Sequence, residues 1–371
     1  MTHAADIISS PRLLLGPGPS MVHPRVLRAM ATPPVGHMDP QFFAIMDETQ
    51  GLLRQLFQTT NRLTFTLPGT GSAGMEAALL NFLEAGDSAL ICVAGFFAER
   101  MVEIAGRATT DVRRIDAPWG QPIRPEQVEE ALRARPAKIV AIVHGETSTG
   151  VRQPLAEIAE IAHRYGALLL VDTVASLGGV EMPVDQIGVD ICYTGSQKCL
   201  SVPPGLAPIT VNPRAEEVLR ARKTKVQTWY LDLTLIQKYW ATDRAYHHTG
   251  PINMQYAMLE GLRMLADEGL PARFERHAAV AQMLWDGLEA LGLKLFVPVA
   301  NRLATLTTVV LPDGVDDVAV RRQLLLDYNI EIAAGLGQYK GKLWRVGLMG
   351  YSARPENVAT LLGVLARLLP R

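Results

Sequence analysis

The sequence between residues 61 and 211 alternates short β-rich runs with segments of helical periodicity. This alternation constrains the fold more than any other feature, because helices that connect parallel strands must pack on the faces of the sheet. We therefore predict an α/β fold with a mostly parallel sheet covered by helices. The predicted strands are 63–67, 89–93, 138–144, 167–171 and 189–193, and the predicted helices are 71–83, 96–105, 127–133 and 155–165.

The rest of the chain differs in pattern. A polar and aromatic stretch at 223–249 precedes a helical pattern at 252–268, and the tail contains a helix at 274–291, a strand at 305–311 and a last helix from Glu356. A chain of 371 residues corresponds to about two domains at roughly 150 residues each. With a boundary near Gly269, we predict an N-terminal arm at 1–20, a large domain at 21–268 and a small C-terminal domain at 269–371.

Composition narrows the class of protein. The 36 Lys and Arg nearly balance the 37 Asp and Glu, which argues against a nucleic-acid partner because such proteins rely on clustered cations. No apolar run approaches the roughly 18 residues of a membrane span, and the N-terminus lacks the pattern of a secretory signal. The three cysteines form no paired framework, which is typical of a reducing compartment. We expect a soluble cytoplasmic protein without a membrane partner.

The segment from Gly69 to Gly74 is a glycine-rich turn between a predicted strand and a predicted helix. Such a turn lets backbone N–H groups and the helix N-terminus face a phosphate. It matches G-x-G-x-x-G, so a dinucleotide site of the NAD-binding type is one interpretation. That site also needs an acidic residue at the end of the second strand, where Cys92 and Val93 stand instead. Phosphate binding, dinucleotide binding and a structural turn all remain open here.

Two ionisable residues follow predicted strands. Asp172 ends the strand at 167–171, and a carboxylate there needs a cation, a metal or a protonated ring nitrogen, unless it only caps the next turn. Lys198 comes 26 residues later, after the next strand, where burial would make its amine a nucleophile. A phosphate turn, an acid and an amine at one edge of a parallel sheet are what pyridoxal phosphate requires.

A fourth polar segment, Tyr246-His247-His248-Thr249, precedes the helix at 252–268. Adjacent histidines can indicate a metal site, but neighbouring side chains point in different directions and no third ligand follows at helical spacing. We therefore predict no metal, and assign the hydroxyls of Tyr246 and Thr249 as phosphate donors.

Seven motifs in order resemble the class V aminotransferases, pyridoxal-phosphate enzymes of fold type I, and most closely their alanine–glyoxylate and serine–pyruvate group. The motifs are LLLGPGPS from Leu13, GTGS from Gly69 with MEAALLN after it, HGETSTGV from His144, VDTVASLGG from Val171, TGSQKCL from Thr194, YHHTGP from Tyr246 and GKLWRVGLMG from Gly341. The resemblance implies a mostly parallel seven-stranded sheet between helices, with a smaller C-terminal α+β domain.

The resemblance also implies roles for matched residues. Lys198 would form the Schiff base with the cofactor, and Asp172 would pair with its ring nitrogen. Arg345 would bind the substrate carboxylate, for which its planar fork is suited. The remaining cofactor-binding residues would be Thr70, Gly71, Ser72 and Gln197 around the phosphate, Thr147 at the phenolic oxygen, Val174 beneath the ring, Phe97 stacked on it, and Tyr246 and Thr249 from a second subunit of a homodimer.

Two positions depart from the pattern of the animal members. Phe97 stands where Trp is common, and Ser72 replaces a histidine, so substrate preference is less constrained than cofactor identity. The predicted reaction moves an amino group from alanine or serine to glyoxylate or pyruvate, with (S)-ureidoglycine as an alternative donor. A cysteine desulfurase is disfavoured because no cysteine follows Cys199. A nicotinamide-dependent oxidoreductase using Gly69 to Gly74 is the alternative from another class.

Overall fold

The computed structural model of the protein describes residues 11–369. Its strands are β1 (Leu13–Leu14), β2 (Leu63–Pro68), β3 (Ser88–Val93), β4 (Asp111–Asp116), β5 (Ile139–Val143), β6 (Gly145–Glu146), β7 (Val151–Arg152), β8 (Leu168–Asp172), β9 (Ile191–Tyr193), β10 (Leu206–Val211), β11 (Leu306–Val310), β12 (Ile330–Glu331), β13 (Ala333–Ala334) and β14 (Leu343–Gly347). Its α-helices are α1 (Pro24–Met30), α2 (Pro40–Phe57), α3 (Gly71–Leu80), α4 (Phe96–Ala108), α5 (Pro125–Ala134), α6 (Ala156–Arg164), α7 (Val184–Ile187), α8 (Pro213–Arg220), α9 (Leu233–Trp240), α10 (Ile252–Glu268), α11 (Leu270–Ala290), α12 (Asp317–Asp327) and α13 (Pro355–Leu368).

The central sheet has seven strands in the order β2-β10-β9-β8-β5-β3-β4. The strands from β9 to β4 pair in parallel, while β10 is antiparallel to both of its neighbours. The predicted mostly parallel α/β fold is therefore confirmed. In this register Asp172 lies opposite Val143 on one side and Tyr193 on the other, so the ends of three strands meet at one edge.

The sheet is buried on both faces. Along β5, Ile139, Ala141 and Val143 belong to one apolar cluster, whereas Val140 and Ile142 belong to a second cluster. This alternation follows from the two-residue period of a strand, with helices covering each face. It explains why these strands appear in the sequence as continuous apolar runs.

The boundaries of the predicted elements agree with the structure to within a few residues, and two strands of the sheet were not predicted. β4 contains Arg113 and Arg114 and lies at the edge of the sheet, so it has no apolar run. β10 contains Pro208, a residue that normally argues against an interior strand. Both strands were missed because their local sequence is untypical of a strand, and their place in the sheet is set by tertiary packing instead.

The tail forms its own antiparallel sheet, in the order β11-β14-β13. A third apolar cluster packs around it and includes Leu15 from the N-terminal segment. β1 pairs in parallel with β12, so the start of the described chain joins the tail. The predicted domain boundaries stay a prediction; residues 1–10 of the predicted arm and residues 370 and 371 lie outside the described residues. Within 11–369, no helix is long and apolar enough to cross a membrane.

Candidate active site

A cavity of about 260 Å³ opens at the edge of the central sheet where β5, β8 and β9 end. It brings together most of the residues predicted for the site. Its lining residues are Thr70, Gly71, Ser72, Met75, Phe97, Arg100, Val143, Gly145, Thr147, Asp172, Val174, Ala175, Gln197 and Lys198. The glycine-rich turn, the strand-end aspartate and the lysine thus share one cavity, as the parallel sheet predicts.

Asp172, the last residue of β8, is buried with both carboxylate oxygens engaged. Oδ1 accepts a hydrogen bond from the Val174 N–H at 2.8 Å, and Oδ2 accepts one from the Tyr193 hydroxyl at 2.7 Å. Burial raises the pKa of Asp172 to about 6, while these hydrogen bonds and the nearby Lys198 act in the opposite direction. The carboxylate is therefore fixed in orientation and available to a cationic partner in the cavity.

Lys198 is held under the N-terminal segment. Its Nζ donates to the carbonyl oxygen of Pro17, and the Ser20 hydroxyl donates to the Lys198 carbonyl at 2.7 Å. A Cβ at Gly18, which has φ +108°, would come within 2.6 Å of the lysine Nζ, so only glycine permits this contact. Burial lowers the pKa of Lys198 to about 8, which increases the fraction of neutral amine available as a nucleophile.

The glycine-rich turn forms one end of the cavity at the N-terminus of α3. Thr70 is the N-cap residue but its side chain makes no capping hydrogen bond, and Gly71 and Ser72 begin the helix. The first N–H groups of a helix have no partner within it and favour an anion. Gln197 also lines the cavity, where its side-chain N–H groups can donate to a phosphate oxygen, whereas its buried side-chain oxygen can only accept and has no partner within residues 11–369. The residues present therefore fit a bound phosphate.

The aromatic and polar walls come from two other segments. Phe97 lies in the first turn of α4, and Val174 follows β8. Gly71 is required beside Val174, because a Cβ there would lie 2.9 Å from Cγ2 of that valine. Thr147 is buried between β6 and β7. Phe97, Val174 and Thr147 thus line the space between the phosphate turn and Asp172, where a flat ring would fit.

Glu146, a buried carboxylate next to Phe97, was not among the predicted site residues. Oε1 accepts from the Ser148 N–H at 2.9 Å and Oε2 accepts from the Phe97 N–H at 3.3 Å, which caps α4 from another segment. Burial raises the pKa of Glu146 to about 7 against the effect of these hydrogen bonds. A Cβ at Gly95 would lie 2.4 Å from Cγ of Glu146, so glycine at this position is the sequence signal of the close approach.

Tyr193 and Arg100 were also absent from the predicted site. Tyr193 ends β9, beside the strand that ends in Asp172, so the parallel pairing of the two strands is the signal that could have identified it. Arg100 lies one helical turn after Phe97, and the 3.6-residue period of α4 places both on the cavity.

Arg345 lies in the middle of β14 and is buried. Its Nε donates to the Ala334 carbonyl at 2.7 Å and its Nη1 donates to the Thr147 carbonyl at 3.3 Å. Burial lowers the pKa of Arg345 to about 10, and the Glu146 charge opposes that shift. The tail sheet therefore places a guanidinium against Thr147, which lines the cavity, although Arg345 itself does not line it.

Tyr246 and Thr249 are not part of the cavity of their own chain. Both are exposed, and the Tyr246 ring contacts His37, with ring centroids 5.2 Å apart. The sequence-based role for them, donation to a phosphate in a second subunit, stays a prediction.

Comparison with known proteins assigns the chain to a family. The family model for class V aminotransferases matches residues 13–351. The chain is 41% identical to the (S)-ureidoglycine–glyoxylate transaminase of Bacillus subtilis, covering all of this chain and 94% of that protein. It is 43% identical to the alanine–glyoxylate aminotransferase of Rattus norvegicus, covering 93% and 84%. A crystal structure of alanine–glyoxylate aminotransferase from Nostoc sp. superposes with a TM-score of 0.97, at 51% identity, covering 99% and 98%.

The fold and the cavity define a pyridoxal-phosphate enzyme of fold type I. The chain belongs to the class V aminotransferase family. The family assignment confirms the predicted cofactor and the predicted aminotransferase activity, and it decides against the nicotinamide-dependent oxidoreductase that the glycine-rich turn left open.

Proposed function

We propose that the protein transfers the amino group of a small amino acid, alanine or serine, to glyoxylate or pyruvate. The observation that carries this proposal is the cavity that brings together Lys198, Asp172 and the N-terminus of α3, with Arg345 at its wall. The alanine–glyoxylate aminotransferases among the relatives support a donor with a small side chain.

Pyridoxal phosphate, when bound, supplies an aldehyde that accepts the amino group and a ring that stabilises negative charge at the substrate α-carbon. The Lys198 Nζ would hold that aldehyde and would move a proton at the substrate α-carbon. The Asp172 carboxylate would keep the ring nitrogen protonated. The Thr147 hydroxyl would donate to the phenolic oxygen, and Phe97 and Val174 would hold the ring.

Arg345 orients the substrate. Its guanidinium binds the α-carboxylate with two parallel hydrogen bonds, which fixes the bond at the α-carbon that lies nearest to Lys198. The carbonyl oxygens of Thr147 and Ala334 accept hydrogen bonds from Arg345, so the guanidinium is pre-oriented before a substrate arrives. The phosphate cradle would consist of Thr70, Gly71, Ser72 and Gln197.

A panel of amino donors tests the substrates. Purified enzyme loaded with cofactor is mixed with glyoxylate and with alanine, serine, (S)-ureidoglycine, glutamate or aspartate, and initial rates are ranked; pyruvate replaces glyoxylate for every donor except alanine, whose product is pyruvate itself. We expect alanine and serine to be fastest, because the relatives named for alanine resemble this chain over nearly its whole length. Faster reaction with (S)-ureidoglycine, the donor named for the Bacillus subtilis relative, would assign that alternative. Faster reaction with glutamate or aspartate would contradict both assignments.

We further propose a cytoplasmic homodimer in which Tyr246 and Thr249 of one subunit reach the phosphate in the other. In support, Trp229, Tyr230 and Tyr246 are exposed aromatic residues in one stretch of the chain, which is typical of an interface. Cell fractionation tests the location.

Co-expression of two inactive chains tests the shared site. A Lys198→Ala chain and a Tyr246→Ala chain, each expected to be inactive alone, should form hybrid dimers in which one site is intact and activity returns. A monomer in sedimentation, or hybrid dimers without recovered activity, would contradict the proposal.

A further inference from the structure

Arg100 points at the same end of the cavity as the glycine-rich turn. It lies in α4, and its Nη1 donates a hydrogen bond of 2.9 Å to the hydroxyl oxygen of Ser72, in the first turn of α3. Its guanidinium carbon is 5.2 Å from the centroid of the Phe97 ring, a cation–π contact. Two contacts therefore fix the guanidinium between the aromatic wall and the phosphate turn.

Arg100 forms no ion pair within 4 Å with a carboxylate among residues 11–369; its charge reaches Asp172, whose pKa it lowers, but the Asp172 oxygens accept from Val174 and Tyr193 instead. The neighbouring Glu99 pairs with Arg114, and Glu103, on the same helix, pairs with Arg107. An arginine at a cavity that no carboxylate neutralises is available to an anionic ligand, to which guanidinium hydrogen bonds are strong. The partner of Arg100 is thus to be sought in the cavity that it lines.

One of the charged residues that line the cavity has no role in the proposed function. Its charged lining residues are Arg100, Asp172 and Lys198, and the proposed function uses the last two at the ring and the aldehyde. A phosphate monoester carries about −1.5 to −2 charges at neutral pH. The other predicted phosphate ligands, Thr70 to Ser72 and Gln197, are neutral. Arg100 is therefore the cation in the cavity lining that remains for the phosphate.

We infer that Arg100 is a further cofactor-binding residue, which supplies positive charge to the phosphate of pyridoxal phosphate and acts together with Ser72. A serine hydroxyl has one proton to donate and can accept through its lone pairs. Because Ser72 accepts from Arg100, its own proton is free for a phosphate oxygen, and the adjacent positive charge strengthens that donation. This inference rests on the proposed function, which assigns Lys198 and Asp172 to the ring end.

Pyridoxal, which has the aldehyde and the ring but no phosphate, provides the matched probe. Apoprotein of the full chain is titrated with pyridoxal phosphate and with pyridoxal, and the absorbance of the bound aldehyde gives both dissociation constants. For Arg100→Gln we expect pyridoxal phosphate to bind roughly 10- to 100-fold more weakly, the range of a charge-assisted hydrogen bond. Pyridoxal should bind within about twofold of the wild type, since its hydroxymethyl group carries no negative charge for Arg100 to bind.

Two further variants sharpen the result. Arg100→Lys keeps the charge and should lose less than Arg100→Gln, and Ser72→Ala should weaken pyridoxal phosphate but not pyridoxal. Raising the salt concentration should reduce the difference between wild type and Arg100→Gln, because a charge at a partly exposed site is screened. Arg100→Lys also replaces Arg100→Gln in the test if the latter fails to fold.

The outcomes separate this inference from the proposed function. If Arg100→Gln weakens both aldehydes equally, Arg100 acts only by supporting Phe97, and the inference is wrong. It is also wrong if the dissociation constant of pyridoxal phosphate matches that of the wild type. If the wild-type apoprotein takes up neither aldehyde, the proposed function itself fails.

Discussion

The two halves of the active site differ in how the chain builds them. The cofactor half, with Asp172 and Lys198, comes from consecutive loops at one edge of the central sheet. The substrate half joins distant segments: Arg345 belongs to the tail sheet, and Pro17 and Gly18 reach Lys198 from the N-terminal segment. The cofactor position is therefore a property of one sheet, whereas the substrate position depends on how two sheets pack together.

Removing the lysine should have the largest effect. Lys198→Ala should lower the rate of transamination from alanine to glyoxylate by about 10⁴-fold or more, because both the covalent link and proton transfer at the α-carbon are lost. The measurement is pyruvate formation under saturating substrates. The exposed Lys294 provides a control, since Lys294→Ala should behave as wild type. A Lys198→Ala protein with ordinary turnover would disprove the assignment.

Replacing Glu146, the buried carboxylate that contacts Phe97 and whose charge acts on Arg345, should change the stability of the protein. The pKa of Glu146 is about 7 in the folded protein and near 4.5 when unfolded. Wild-type apoprotein should therefore lose stability relative to Glu146→Gln as pH rises from about 4.5 to about 7, by at most about 3 kcal/mol. Below that range both states are protonated and the cost disappears.

Urea unfolding of wild type and Glu146→Gln at pH 5, 6, 7 and 8 measures this difference. The exposed Glu157 serves as the control, because its replacement by Gln should leave the free energy of unfolding with the same pH dependence. A constant difference between wild type and Glu146→Gln across the series would show that Glu146 is charged in the folded protein throughout.

Changing the substrate half alone should separate the two halves. Arg345→Lys keeps a positive charge but loses the planar fork, so KM for the amino acid should rise by roughly 10- to 100-fold. The affinity for pyridoxal phosphate should stay unchanged, as measured by absorbance titration of the apoprotein. Arg322→Lys, at an exposed site on α12, is the matched control. An equal loss of cofactor affinity would mean that the halves are not separable.

The smallest expected effect concerns the support of Asp172. The hydrogen bond from the Tyr193 hydroxyl to Oδ2 lowers the pKa of Asp172 in the wild type. Tyr193→Phe removes this bond, so the pKa of Asp172 should rise in the variant. We expect the acidic limb of the kcat–pH profile to move to higher pH, with activity at pH 6 falling about 3- to 10-fold. Tyr165→Phe, outside the cavity, controls for the loss of a hydroxyl. A profile identical to that of the wild type would show that Tyr193 has only a packing role.

The difference between the cofactor half and the substrate half also explains which site residues could be predicted from the sequence. Asp172 and Lys198 lie at or just beyond the ends of apolar strands, so the pattern makes them candidates and the parallel sheet brings them to one cavity. Arg345 has no such signal, because a strand arginine in the tail sheet is normally a surface residue, and only the resemblance to a family singled it out. Glu146 is harder still, since its partner Phe97 lies 49 positions away and no local pattern links them.

Two strands of the fold show the same limit. Charged residues in β4 are tolerated because an edge strand exposes one side, and Pro208 is tolerated in β10 despite two neighbouring strands. Local propensity describes the average position of a residue type, whereas these positions are set by long-range pairing. The strands predicted from periodicity therefore gave the right class of sheet but lacked two of its members, whereas the seven strands implied by the resemblance agree with the structure.

The N-terminal segment ties the two sheets to the reactive amine. At one end, the N–H of Leu15 donates to the Glu331 carbonyl and its carbonyl accepts from the N–H of Gly347, both in the tail. A few residues later, Pro17 accepts from the Lys198 Nζ, and the Ser20 N–H donates to the Gln197 carbonyl. Any displacement of the tail sheet relative to the central sheet must therefore move this short segment. The contacts of the Lys198 Nζ thus depend on the relative position of the two sheets.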